Sequence, residues 1–166
     1  MEANMKKHLS IIAFILVLST LLLALVGCSL LEPKGKSFSK AGMTITLDSD
    51  FVEQDIVTQT AYYVSQKAIV TALKEDGSTI ANYTVEDYAE LVCEVNKLDD
   101  DTVAVKNGYA EFTYEKELNG KDYYYYARCF KNGTDFWLFQ FACETKNTEE
   151  YKPIFEKWAS SVTFDD

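Results

Sequence analysis

The chain has few side chains whose types could do chemistry. Four cysteines, Cys28, Cys93, Cys129 and Cys143, could supply a thiolate, and the acidic runs Asp48-Ser49-Asp50 and Asp99-Asp100-Asp101 could supply hard oxygen ligands or paired carboxylates. A cysteine nucleophile needs a base, and the single histidine, His8, lies in a segment argued below to be removed. Its loss excludes Ser-His-Asp and Cys-His sites and most transition-metal sites. Cys93, Cys129 and Cys143 are not spaced as zinc ligands are. Asp99, Asp100 and Asp101 are weak candidates for a Ca²⁺ site. Neither acidic run has an EF-hand layout, and acidic loops are ordinarily just solvated. There is no P-loop or dinucleotide-binding glycine pattern. The sequence therefore assigns no catalytic residue, no cofactor and no metal ligand beyond those weak candidates.

The first residues explain His8 and Cys28 together. Met5-Lys6-Lys7-His8 is a short basic start, and Leu9 to Val26 is almost wholly apolar, broken only by Ser10, Ser19 and Thr20. This is the order of a secretory signal peptide. The run of about 18 residues is long enough to compete as a membrane-spanning helix. Its ending, Leu25-Val26-Gly27-Cys28, decides between the two, because it resembles the lipobox of bacterial lipoproteins. That resemblance implies a diacylglyceryl group on the Cys28 thiol and cleavage just before it. Residues 1–27 are then a removed signal peptide, 28–37 a lipidated tether, and 38–166 a single globular domain on the extracytoplasmic side of a bacterial cell membrane.

Charge supports this arrangement and excludes others. The whole chain carries 16 Lys+Arg against 26 Asp+Glu, a net charge of −10. A nucleic-acid binder needs a basic face, so that class is excluded. Removing residues 1–27 takes away Lys6, Lys7 and Glu2, which leaves 139 residues with 14 basic against 25 acidic, a net −11. Anionic headgroups repel such a domain, so attachment must come from the acyl chains. Aromatic residues make up 14% of the chain, too many for a disordered acidic tail.

The elements that must position the remaining side chains follow from periodicity and turn chemistry. Met43, Ile45 and Leu47 alternate with Thr44 and Thr46 as a half-buried strand, and 61–64 and 68–74 read as two more. Thr84 opens a helix with Asp87 in its first turn, and Val85, Tyr88, Leu91, Val92 and Val95 make its apolar face up to about Lys97. Asn107-Gly108, Asn119-Gly120 and Asn132-Gly133 each separate strand-like runs, the strongest short hairpin signal. Treating each pair as a two-residue turn predicts that Val105 faces Ala110, Phe112 faces Ala127, and Ala127 faces Leu138. One face then collects Phe112, Tyr114, Tyr125, Ala127, Cys129, Phe136 and Leu138. The other collects Glu111, Glu115, Tyr124, Tyr126, Arg128, Trp137, Phe139, Phe141 and Cys143, with Glu111 directly opposite Arg128.

This register has consequences for the chemistry. Cys129 and Cys143 fall on opposite faces and cannot bond to each other. Cys93, on the helix flank, could bond whichever of them its helix covers, although three buried thiols packing as small apolar residues is the favoured reading. Tyr123 to Tyr126 looks like an aromatic strip, but alternation divides it between the faces, which favours core packing. Residues 135–144 are apolar on both faces, which places that strand mid-sheet with cover above and below. The early strands are expected on its far side and 103–106 at the edge. The last helix is capped at Asn147 or Thr148 and buries Tyr151, Ile154, Phe155 and Trp158; Pro153 suggests that its regular part begins just before that residue. The expected architecture is α+β, an α/β/α sandwich with an antiparallel sheet of about six or seven strands and a helix on each face.

That order resembles the PsbP-like fold, shared by the photosystem protein PsbP, the DcrB lipoproteins and a Ran-binding nuclear factor. The resemblance rests on Phe38 and Met43 to Leu47, the helix at Thr84 to Tyr88, the hairpin run, and Phe155 and Trp158 before Val162-Thr163-Phe164. It implies a non-enzymatic binding or assembly role and carries over no ligand residue. The expected function is a monomeric, lipid-anchored module contacting a protein or cell-envelope partner through a sheet edge or an aromatic groove. The alternatives are a carboxylate-based surface hydrolase and a Ca²⁺-responsive domain.

Overall fold

A computed structural model describes residues 35–98 and 102–165. Cys28 and Asp99 to Asp101 lie outside the described residues. Among the described residues, ten strands and two α-helices make two stacked sheets and their cover. The first strands, β1 (Lys36–Lys40) and β2 (Met43–Leu47), form a hairpin whose turn residues Ala41 and Gly42 have φ of 54° and 87°. Then come β3 (Val52–Gln54), β4 (Ala61–Val64) and β5 (Ala68–Glu75). Helix α1 (Val85–Asn96) is followed by β6 (Ala104–Lys106), β7 (Tyr109–Leu118), β8 (Lys121–Asn132) and β9 (Asp135–Glu144). Helix α2 (Thr148–Ser160) and the short β10 (Thr163–Phe164) close the chain.

Seven strands form one antiparallel sheet in the order β3-β4-β5-β9-β8-β7-β6. The doubly apolar β9 is its central strand, buried from Phe136 through Cys143, the early strands lie on its far side, and β6 is an edge. Residues 43–47 are a strand as expected, but in a second sheet of order β1-β2-β10. Period-two alternation reports a half-buried strand without reporting its sheet. Lys36 and Ser37, taken from the sequence as the end of the tether, are the first residues of β1, opposite Leu47 and Thr46.

The three Asn-Gly pairs make three different turns. Asn119 and Gly120 both have positive φ, the type I′ pattern. At Asn107-Gly108 only the glycine does, the type II pattern. The third turn is centred on Gly133 and Thr134, so Asn132 pairs with Asp135 and Ala127 faces Gln140, not Leu138. Glycine alone supplies the positive φ there, as in a type II′ turn that begins with Gly. The error is two residues, one full period of the pleat, so every side chain stays on its expected face.

Those faces build two cores. Helix α1 covers Ala110, Phe112, Ala127, Cys129, Phe136 and Leu138. Its buried stripe is Tyr88, Ala89, Val92 and Cys93, with Cys93 fully buried at one side of it, while Leu91 and Val95 are half-buried. Small residues let the helix sit closer to the sheet than larger ones would. Thr84 and Asp87 form a reciprocal capping box at its start. Helix α2 and the small sheet together cover Tyr124, Tyr126, Trp137, Phe139, Phe141 and Cys143. Pro153 lies inside α2, which begins at Thr148, five residues before the proline instead of just before it. A proline there forgoes one bond to the Glu149 carbonyl, and Glu149 lies exposed, where water can satisfy it.

Candidate functional site

The largest polar cluster lies where β6, β7 and β8 meet the C-terminal end of α2. Register places Glu111 of β7 opposite Arg128 of β8, and the guanidinium Nη2 donates to Glu111 Oε2 at 3.1 Å. Arg128 is only 3% exposed. All three of its nitrogens are engaged: Nε donates to Tyr126 Oη at 2.9 Å, Nη2 to the same oxygen at 2.5 Å, and Nη1 to Ser160 Oγ at 3.2 Å. Tyr126 donates in turn to Glu111 Oε2 at 2.5 Å, and Lys106 of β6 reaches Glu111 Oε1 at 2.5 Å. The Tyr109 ring lies 4.0 Å from the guanidinium carbon. Burial works to raise the Glu111 carboxyl, but Lys106, Tyr126 and Arg128 outweigh it and hold it below the usual carboxylate range. Burial and the bond to Glu111 push the Tyr126 phenol up.

This arrangement is a lock. A buried guanidinium with each nitrogen engaged by its own fold has little left for a ligand, and losing one partner would strand a buried charge. The sequence exposed its centre, the Glu111–Arg128 pair. It did not expose Lys106, Tyr109 or Ser160. The hairpin register carries a signal for the first two, because Lys106 pairs with Tyr109, two residues from Glu111. Ser160 arrives from a helix whose docking no local pattern encodes.

A second polar pair is on the other face. Tyr88 of α1 donates a short hydrogen bond to Glu75 Oε2. Burial raises the Glu75 carboxyl, partly offset by that bond, and burial pushes Tyr88 well up. Glu75 and Glu111 thus have carboxyls shifted in opposite directions, but they lie on opposite faces of the sheet, so they do not form the facing pair a carboxylate hydrolase needs.

The other expectations resolve as follows. Cys93, Cys129 and Cys143 are all buried thiols, and burial pushes Cys129 well up and Cys143 to about 11. The tyrosine run divides as alternation predicts: Tyr124 and Tyr126 enter the α2-side core, and Tyr125 stacks on Tyr114 with centroids 4.6 Å apart. Tyr114 also accepts from Gln140 Nε2 at 2.7 Å. The aromatics beside Glu111 and Arg128 that could have lined a groove are covered, with Phe139 and Phe141 fully buried. Asp48 caps a local turn through its carbonyl to Phe51 and accepts from Trp158 Nε1 at 3.4 Å. Among the described residues, no group of three His, Cys, Asp or Glu side chains is placed to hold a metal ion. None of their helices is long and apolar enough to cross a membrane.

One unsatisfied feature remains beside the lock. Strand β7 has ten residues, and β6 pairs with only Tyr109, Ala110 and Glu111. From Phe112 to Leu118 its outer side has no strand partner among the described residues.

Comparison with known proteins places the fold. No family model matches the chain, and no curated protein does. The Saccharomyces cerevisiae Ran-binding protein Mog1p matches with a TM-score of 0.57 at 6% identity, over 81% of this chain and 97% of that one. A protein from Bacteroides thetaiotaomicron matches with a TM-score of 0.55 at 12% identity, over 82% of this chain, which spans only 50% of that one's length. Cyanobacterial PsbP (CyanoP) from Synechocystis matches over 86% of this chain and 98% of its own, with 12% identity and a TM-score of 0.48, which adds nothing to the argument. The α+β fold is therefore the one seen in Mog1p, as the resemblance implied.

Proposed function

We propose that this chain is a binding or assembly module and not an enzyme, anchored by acyl chains on Cys28 to the extracytoplasmic face of a bacterial membrane. One domain, starting at β1, would hang from a tether of about seven residues and meet a protein or cell-envelope partner as a monomer. The observation that carries this reading is the contrast at the β6–β7 margin: the buried charges there are satisfied internally, while the adjacent backbone edge has no strand partner among the described residues. A fold shared with a Ran-binding protein supports a role in protein contact. The lipobox-like Leu25-Val26-Gly27-Cys28 supports the anchor, and a net charge of −11 after removal of residues 1–27, with Lys6, Lys7 and Glu2 gone, leaves lipid as the means of attachment.

Two measurements test it. Palmitate labelling of the protein in cells should vanish in Cys28→Ala; labelling that persists removes the anchor. Photo-crosslinkers placed in turn over the exposed strand positions of the domain should trap a discrete partner on intact cells. A surface that traps nothing anywhere overturns the binding role.

A further inference from the structure

We propose that the outer edge of β7, Thr113–Leu118, takes up an extended segment of the partner as an added strand, and that this segment alternates basic with apolar residues; the inference rests on the binding-module reading above. The edge has the length for it. At about 3.4 Å per residue it offers roughly 20 Å of backbone, comparable to a typical whole strand. It is paired with β8 on its inner side at every residue to Leu118. Affinity from such pairing comes from main-chain hydrogen bonds, and specificity comes from the alternating side chains.

Those side chains describe the occupant. On the α2 side the edge shows Thr113, Glu115 and Glu117, all exposed. On the α1 side it shows Tyr114, Lys116 and Leu118, all half-buried. A strand laid alongside would set alternate residues against the two glutamates, where lysine or arginine is favoured. The residues between would lie beside Tyr114 and Leu118, where aliphatic or aromatic groups are favoured. The net charge of −10 acts in the same direction at long range.

A second copy of this chain fits poorly. A two-fold axis normal to the sheet keeps the faces continuous, so paired residue numbers must sum to an even value. Of the two registers that overlap the edge most fully, one sets Glu115 against Glu115 of the copy, and the other sets Glu115 against Glu117 twice. Like charges directly opposite are destabilising. Charged edge residues are a known guard against self-pairing; here the same charges select a complementary strand. The opposite edge differs. Strand β3 has three residues, and Lys40 at the end of β1 bridges Glu53 at 2.8 Å and Asp55 at 2.7 Å across it.

The test uses the full chain in mild detergent and three synthetic octapeptides: one alternating Lys with Val or Tyr, one with Glu replacing each Lys, and one with the first peptide's composition in blocks. Amide exchange is read with each. The alternating Lys peptide should slow exchange within Thr113–Leu118. The double variant Glu115→Lys/Glu117→Lys should bind it at least about tenfold more weakly and should prefer the Glu peptide. Unchanged exchange of β9 amides shows that the variant is folded, and Glu115→Gln/Glu117→Gln, expected to fall between, serves if it is not. No protection of 113–118 at millimolar peptide, equal binding of the blockwise peptide, or indifference to charge reversal overturns the proposal. Crosslinkers at Glu117 and Glu53 on intact cells separate the two levels of inference. Capture elsewhere with none at Glu117 removes the edge but keeps the binding role, and capture nowhere removes both.

Discussion

On the α1 face of the large sheet the polar groups drawn into the packing are thiols, phenols, an amide and the half-buried Glu75 carboxyl; on the α2 face they include a guanidinium. Cys93 and Cys129 lie beside Tyr88 and Phe112 in a layer that one helix covers. Arg128 lies in a layer that takes a helix and a whole second sheet to close. Thiols pack as small apolar groups and ask little of their neighbours. A guanidinium must find a partner for each nitrogen, and Arg128 draws them from β7, β8 and α2. The α2 face is therefore knit together by an ionic network between elements, whereas the α1 face depends on packing, on the helix's own ends and on single hydrogen bonds such as Tyr88 to Glu75.

The sharpest way to break that contrast is to remove one partner of the charge. Glu111→Ala should cost about 2–4 kcal/mol, because Arg128 stays buried without its carboxylate. Urea midpoints measure it. Replacing both, Glu111→Leu with Arg128→Met, should recover much of the loss, since a buried ion pair and a well-packed apolar pair are often near equal in stability. A double variant as unstable as the single one would show that the cluster is not a closed unit.

A smaller effect compares the faces with the same chemistry. Cys129→Ser on the α1 face and Cys143→Ser on the α2 face each bury a hydroxyl in place of a thiol, at a cost of about 1–3 kcal/mol. The loss should be larger at Cys129, which is fully buried in the layer without an ionic network. Thermal unfolding of the two variants side by side decides it. A larger loss at Cys143 would mean that the α2 face is the less tolerant of the two.

What could be read in advance divides along the same line. The period-two pattern and the Asn-Gly turns are local signals, and they sorted both faces correctly even where the third hairpin was displaced by two residues. Glu111 opposite Arg128 followed from that register. The unread parts are set by distant contacts. Residues 43–47 carry the same alternation whichever sheet they join. Strands β1 and β3 are too short and polar for a pattern to declare them. The exact helix stripe, which buries Ala89 and Cys93 and leaves Leu91 and Val95 half-buried, depends on how closely α1 approaches Ala110 and Ala127, small residues that impose no period of their own. The open edge of β7 is the difference in length between two strands, visible only after both are placed.

Acidity offers a subtler comparison, because the two faces should respond with opposite signs. Glu111 is held below its unfolded value, so its contribution is fully present above about pH 4.3 and is lost as the pH falls through the lower folded value. Glu75 is held above its unfolded value, so its contribution is fully present below about pH 4.3 and is lost as the pH rises through the higher folded value. Stability measured from about pH 3 to about pH 7 for wild type, Glu111→Gln and Glu75→Gln should show it. The advantage of wild type over Glu111→Gln should shrink on acidification, and that over Glu75→Gln should grow. Parallel trends would contradict the assignment of a charged pair to one face and a desolvated acid to the other.

The smallest effect concerns how each helix is attached. Helix α1 begins with a complete capping box, in which Asp87 N donates to Thr84 Oγ1 at 3.1 Å and Thr84 N to Asp87 Oδ2 at 2.7 Å. Helix α2 follows Asn147, whose side chain makes no capping bond. It is held instead by Tyr151, Phe155 and Trp158 in the core and by Ser161 bonded to Thr46. Thr84→Ala should therefore cost about 1 kcal/mol, while Asn147→Ala should cost close to nothing. Helical circular dichroism through a urea titration measures both. If the two losses were equal, α1 would owe as much to its tertiary contacts as α2 does, and the distinction between a self-capped helix and a docked one would fail.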